Sequence, residues 1–189
     1  TLDWLLSERT LGNLAAFVPG STKLADCSSW VENNFKGNVT PADFAWVRER
    51  WPGKLVAKGV MDPHDAKLAL NLGADAIVVS NHGGRQLDCA ESTVRAFPAI
   101  RACVGEQVEL LFDSGVRSGL DVLKTLGVGA NACLVGRAPL YGLAAYGEKG
   151  VAATLDLIEQ ELDAAMRLTG VGSAAQVPTD ILSGISADR

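Results

Sequence analysis

From about residue 40 the chain alternates between two hydrophobic periods. Short aliphatic and β-branched runs read as strands: Lys54-Leu55-Val56-Ala57-Lys58, Ala76 to Ser80, Val108 to Asp113 and Ala132 to Gly136. Segments with helix-start chemistry lie between them. Thr40-Pro41-Ala42-Asp43 offers Thr as N-cap, Pro at the first helical position and an acid in the first turn. Phe44, Trp46 and Val47 then fall on or near one helical face, and Trp51-Pro52-Gly53 ends the helix. Asp62-Pro63-His64-Asp65 repeats the start, with the helix running through Ala66 to Leu72 until Gly73. Further helices are expected over about 92–104 (despite Pro98), over Leu120 to Leu126, and over a long amphipathic stretch from Val151 to Leu168 stopped by Gly170.

Four strands, each followed by a helix, imply a parallel α/β sheet with right-handed crossovers. The pattern suits half of an eight-stranded barrel or a small doubly wound sheet. A dinucleotide-binding sheet would want Gly-x-Gly-x-x-Gly after a strand, and the sequence has none. Residues 1–39 do not share the repeat. Leu2, Trp4, Leu5, Leu6, Leu11, Leu14, Ala15 and Phe17 crowd together, and a polar stretch rich in Ser and Asn follows Pro19-Gly20. This part reads as a long loop or helical excursion before the barrel elements, with 40–189 as one domain of βα units. The apolar cluster is either an ordinary packed helix or a segment that docks on a membrane surface or a partner.

Composition narrows the function. The 189 residues are 48% hydrophobic and 21% charged, with a net charge of −5, and no basic run stands out. That balance argues against nucleic acid as a partner. The four cysteines share no metal-type spacing and only two histidines are available, so no metal site is expected. Cys103 and Cys133 sit among apolar residues and read as buried thiols of a reducing, cytoplasmic compartment. No run approaches the roughly 18 apolar residues of a membrane span. The chain opens on Thr1 already in mid-pattern, so a longer polypeptide beginning upstream is expected.

The strand ends carry the chemistry, as α/β folds dictate. Val78-Val79-Ser80-Asn81-His82-Gly83-Gly84-Arg85-Gln86-Leu87-Asp88 passes from a buried run into a loop with one His, two Gly and one Arg. His82 can act as a base near neutral pH. Arg85 is a planar fork for a carboxylate. Together they suggest proton abstraction from a small organic acid. The next strand ends in Asp113-Ser114-Gly115-Val116-Arg117-Ser118-Gly119, and the last in Gly136-Arg137. Amides freed by glycine, a helix N-terminus and two arginines make an anion site. After the last two strands of a barrel, such a site commonly takes phosphate.

Nine consecutive residues, Ser80 to Asp88, resemble the signature of the FMN-dependent α-hydroxy acid oxidising enzymes. That family includes glycolate oxidase, lactate oxidase, mandelate dehydrogenase and the lactate dehydrogenases. The resemblance runs from about Lys54 to the end of the chain. Leu11-Gly12-Asn13-Leu14 and Trp51-Pro52-Gly53-Lys54-Leu55-Val56 look like the bacterial L-lactate dehydrogenase branch. It implies the carboxyl-terminal half, strands 5–8, of a (β/α)8 TIM barrel that binds FMN. Lys58 would face flavin N1 and O2, Ser80 would touch the flavin, and Asp113 would hold a ribityl hydroxyl. Gly115, Arg117, Gly136 and Arg137 would hold the phosphate, His82 would be the base, and Arg85 would grip the carboxylate of an L-2-hydroxy acid. The resemblance further implies a quinone, cytochrome or oxygen as electron acceptor and a homo-oligomer, tetramer or octamer. Residues 1–39 are then candidates for peripheral contact with the inner face of the cell membrane. The family's first half, with two tyrosines and an aspartate that pairs with the histidine, has no counterpart here. The alternatives are another phosphate-binding barrel, such as an isomerase, or a non-catalytic half-barrel.

Overall fold

The computed structural model describes residues 17–18, 24–35 and 37–182. Two compact units divide the chain, residues 1–44 and 45–189. In the first, helix α1 (Leu24–Asn34) carries Trp30, whose ring lies 5.5 Å from that of Phe17 and 6.5 Å from that of Phe35. The apolar cluster from Leu2 to Ala15, read as a packed helix or a docking segment, lies outside the described residues. Helix α2 (Pro41–Arg50) spans the boundary between the units. Its start is a reciprocal cap: the Thr40 amide donates to the Asp43 carboxylate at 2.8 Å, and the Asp43 amide to Thr40 Oγ1 at 3.3 Å. No α2 residue is buried, and Trp46, on which Arg50 stacks, is exposed.

The second unit alternates β1 (Val56–Val60), α3 (Pro63–Asn71), β2 (Ala76–Val79), α4 (Thr93–Val104), β3 (Glu109–Asp113), α5 (Gly119–Gly127), β4 (Ala132–Leu134) and α6 (Arg137–Thr169). All strand pairs are parallel and the order in space is β1-β2-β3-β4. A doubly wound sheet reverses its strand order at a switch point. Here each strand neighbours the next in sequence, the arrangement of half a (β/α)8 barrel.

The local reasons match the residues. Asp62 caps α3, accepting from the amides of His64 at 2.7 Å and Asp65 at 3.3 Å, with Pro63 behind it. Ser118 and Asp121 close a capping box on α5. Ile77, Val79, Leu110 and Phe112 present alternate side chains to the helix layer, where Ala66, Ala96, Phe97 and Ile100 meet them in one buried cluster. Each large member contributes about 1.5–3 kcal/mol by leaving water. Every residue of β2 is buried, as a central parallel strand requires.

Three expectations change. The first strand starts at Val56, not Lys54, because the Leu55 amide donates to Asp75 Oδ2 at 2.8 Å instead of joining the ladder. The last helix starts at Arg137, well before Val151. Tyr146 and Gly147 leave helical geometry, so α6 is two helices, 137–145 and 148–169. They cross at Gly142 and Gly150, where a β-carbon on Gly150 would sit 1.9 Å from the Gly142 carbonyl oxygen. Only two glycines allow that approach. The sequence shows three glycines there and hides the helix. Finally, Cys103 and Cys133 are half-buried, while Cys27 is buried. Burial raises the Cys133 thiol above its usual range, opposed by a hydrogen bond with Thr125.

Candidate active site

Three neighbouring strands deliver one polar cluster at their carboxyl ends. Lys58 on β1, Ser80 just past β2 and Asp113 at the end of β3 lie on the sheet face opposite the helices. The Lys58 ammonium is 3.0 Å from Asp113 Oδ2 and donates to Ser80 Oγ at 3.2 Å. Ser80, itself buried, donates to the same Asp113 oxygen, and Ser114 Oγ does so at 3.3 Å. Partial burial of Asp113 disfavours its charge. The hydrogen bonds from Ser80 and Lys58, and the Lys58 charge, outweigh that and hold the carboxyl below its usual pKa.

The loop after β2 is a single 3-10 turn, His82–Gly84. Asn81 braces it: its side-chain oxygen accepts from the Gly83 amide at 3.0 Å, and its nitrogen donates to the Glu91 carbonyl at 3.1 Å. The His82 amide donates to Ser80 Oγ at 3.1 Å, and the Gly83 amide to Ser114 Oγ at 3.0 Å. Among the described residues, two non-glycine residues have left-handed φ, His82 at 56° and Ser114 at 89°. Both lie in this site, where such strain is characteristically held.

A cavity of about 220 Å³ opens over the cluster. It is lined by eight of the nine residues singled out from the sequence: Lys58, His82, Arg85, Asp113, Gly115, Arg117, Gly136 and Arg137. The ninth, Ser80, is bonded to three of them, Lys58, His82 and Asp113. Four cationic side chains and one carboxylate therefore ring the space. Arg137 reaches the Gly83 carbonyl at 3.4 Å. The Arg85 amide closes the turn on the His82 carbonyl at 3.3 Å, while among the described residues its guanidinium makes no hydrogen bond or ion pair and remains available. Gly136 is the N-cap of α6 and supplies no side-chain cap, leaving the first helical amides open to an outside acceptor.

Asn81 and Ser114 were not singled out from the sequence, although they hold the His82 loop against β3. The available signal was positional: short polar residues beside glycine at a strand end favour side-chain-capped turns.

A family model described as FMN-dependent dehydrogenase matches residues 3–184. The chain belongs to the FMN-dependent dehydrogenase family. An L-lactate dehydrogenase of Caulobacter sp. (strain K31) is 50% identical over 174 residues, 92% of this chain and 46% of that protein. An L-lactate dehydrogenase of Xanthomonas euvesicatoria pv. vesicatoria (strain 85-10) is 49% identical over 179 residues, 95% of this chain and 46% of that one. The solved structure of the monotopic membrane protein (S)-mandelate dehydrogenase matches with a TM-score of 0.83 at 36% identity, covering 95% of this chain and 47% of that one. The chain thus spans about half the length of the curated relatives it matches.

The family's cofactor is FMN, and the site fits it. A phosphate monoester needs cations and free amides, which Arg117, Arg137 and the Gly136 end of α6 offer. A sugar chain needs an acceptor such as Asp113. An electron-rich ring edge needs a fixed cation, and Lys58 is held in place by Ser80 and Asp113. No helix among the described residues is long and apolar enough to cross a membrane. Nor do three or more His, Cys, Asp or Glu among them gather as a metal site.

Proposed function

We propose that this chain carries the FMN-phosphate end and the base-and-carboxylate end of an enzyme that oxidises an L-2-hydroxy acid, foremost L-lactate, to the 2-oxo acid. The observation that supports this best is the convergence of Lys58, His82, Arg85 and the phosphate-type groups on one cavity. Bound FMN would accept the two electrons. Arg117, Arg137, Gly115 and Gly136 would hold its phosphate, Asp113 and Ser80 its polar middle. Lys58 supplies positive charge where a reduced ring becomes electron-rich. Arg85 holds the substrate carboxylate by two parallel N–H donors and so orients it. His82 takes a proton from the bound hydroxy acid. The relatives named as L-lactate dehydrogenases support lactate over larger acids.

The electron acceptor is a quinone, a cytochrome or oxygen. The Leu/Trp-rich stretch within residues 1–39, together with the likeness to a monotopic membrane protein, supports peripheral contact with a membrane.

Titration of the purified protein with FMN, followed by quenching of flavin fluorescence, tests the cofactor end. Turnover of lactate, glycolate and mandelate with an artificial electron acceptor tests the substrate end. Saturable FMN binding with lactate preferred supports the reading. Binding of a phosphorylated sugar in place of FMN would overturn it in favour of an isomerase-type barrel.

A further inference from the structure

The imidazole of His82 rests on the neighbouring strand at a point where that strand carries one residue too many. Between β1 and β2 the ladder runs in step from Val56 opposite Ala76 to Lys58 opposite Val78. The next aligned pair is Val60 with Val79, so Gly59 is the extra residue of a bulge. Its φ is +94°, which already favours glycine. A second fact is independent of backbone conformation. A β-carbon at Gly59 would lie 2.7 Å from His82 Cε1 and 3.6 Å from each ring nitrogen. The first distance is far inside van der Waals contact, and the equal pair means the ring presents its carbon edge to Gly59. The space a side chain would occupy is the space the imidazole occupies.

The other side of the contact is equally constrained. His82 has φ 56°, its amide is tied to Ser80 Oγ at 3.1 Å, and Asn81 braces the turn through the Gly83 amide at 3.0 Å. The His82 backbone is thus fixed from its own loop, and its ring from the bulge of β1. Bulges beside active sites commonly re-aim a side chain. Here the bulge re-aims a side chain on the adjacent strand's loop, by giving it a seat. The residue before it, Lys58, is itself pinned by Ser80 and Asp113, so the seat cannot slide along the strand.

We propose that Gly59 is a positioning residue for His82: its bulged, side-chain-free backbone is the seat that sets the direction of the imidazole toward the cavity shared with Lys58 and Arg85. The catalytic meaning of the seat rests on reading His82 as the base; the seat itself does not.

The test uses NMR on the full 189-residue chain, which holds only two histidines, His64 and His82. His82→Gln assigns their signals by difference. A nuclear Overhauser contact between the Gly59 α-protons and the His82 ring is expected, and its absence overturns the proposal without any need for a variant at Gly59. Gly59→Ala should then shift the His82 ring resonances and weaken the Overhauser contacts of that ring, leaving the His64 signals in place. Gly129→Ala is the control. Gly129 has φ +95° but its nearest neighbour to an added β-carbon is 3.4 Å away, on the flexible stem of Arg101. It imposes the same backbone strain without touching His82. His82 signals that stay put in Gly59→Ala, or that move equally in Gly129→Ala, overturn the proposal. In the FMN-loaded protein the misplaced ring should lower kcat on the order of 10²-fold with little change in FMN affinity. Should His82→Gln keep full turnover, the base assignment fails while the Overhauser contact still decides the seat.

Discussion

At the amino-terminal edge of the sheet Arg101 is 7% exposed, whereas at the carboxyl edge Arg85, Arg117 and Arg137 are exposed around a cavity. Arg101, on α4, donates to the Gly129 carbonyl at 3.0 and 2.7 Å, to the Gly105 and Val108 carbonyls at 2.9 Å each, and to Asn131 Oδ1 at 2.8 Å. Asn131 in turn accepts from the Leu110 amide at 2.9 Å. Burial pulls the guanidinium of Arg101 below its usual pKa, opposed by the charges of Glu106 and Glu109. The same side chain type does opposite work at the two ends. At one, every donor is used on the loops that launch β3 and β4, and the product is stability. At the other, donors are left open toward a space, and the product is a capacity to bind anions. The open end is the one at which barrel folds place their chemistry.

The contrast can be broken most severely at the open end. His82→Gln should lower turnover of the FMN-loaded protein on the order of 10²–10⁴-fold while leaving FMN affinity and thermal midpoint close to wild type. A kcat near wild type would remove His82 from the chemistry.

The next largest effect belongs to the closed end. Arg101→Met leaves several carbonyls and Asn131 without their donor, and should cost roughly 3 kcal/mol of stability in urea unfolding at unchanged slope. FMN affinity measured well below the unfolding range should stay the same. Loss of FMN binding from the folded variant would show that the two ends are not separate.

Arg85→Lys sharpens the open end. It keeps the charge and loses the two-pronged geometry, so about a tenfold rise in KM for the hydroxy acid is expected, with a parallel weakening of inhibition by oxalate. Stability should not move, because the Arg85 guanidinium holds nothing else among the described residues and the amide that closes the turn is unchanged by the substitution.

A smaller, pH-dependent effect is expected at Asp113. Its folded pKa is depressed by Ser80 and Lys58 against the cost of burial. The stability it adds is therefore present above its unfolded pKa of about 4 and is lost as pH falls through the lower, folded value. The difference in urea midpoint between wild type and Asp113→Asn should shrink between about pH 6 and about pH 3. A constant difference would mean the carboxylate charge is not what matters.

The smallest effect marks the baseline. Arg95 pairs with Glu91 one turn away at 3.5 Å, with both side chains exposed. Arg95→Ala should change stability by no more than about 0.5 kcal/mol. A larger loss would show that exposure is a poor guide to which arginines matter in this fold.

Much of this was legible before any coordinates, and the residues show why. Asp62-Pro63 and Thr40-Pro41 announce their helices because capping is a contact between residues three positions apart. Ile77, Val79, Leu110 and Phe112 announce a buried sheet through composition alone. The residues at the strand ends were legible too, since α/β topology sends every carboxyl end to the same side. Less legible were features in which one segment answers another. The Leu55 carbonyl still accepts from the Asp75 amide, but the Asp75 carboxylate captures the Leu55 amide. The helix at Arg137 was hidden because Gly142 and Gly150, poor helix formers by themselves, are there to let two helices touch.

The sequence by itself determined the order of elements, the parallel sheet and the identity of the groups at its carboxyl edge, because these depend on periodicity and on contacts within one turn. Tertiary structure alone decided that Lys58, Ser80 and Asp113 form a single hydrogen-bonded cluster, that Asn81 and Ser114 brace the His82 loop, and that Gly59 bulges beneath the imidazole. Those arrangements depend on strand register. Register is set by packing and backbone pairing between segments about 20 to 55 residues apart, beyond the reach of any local pattern.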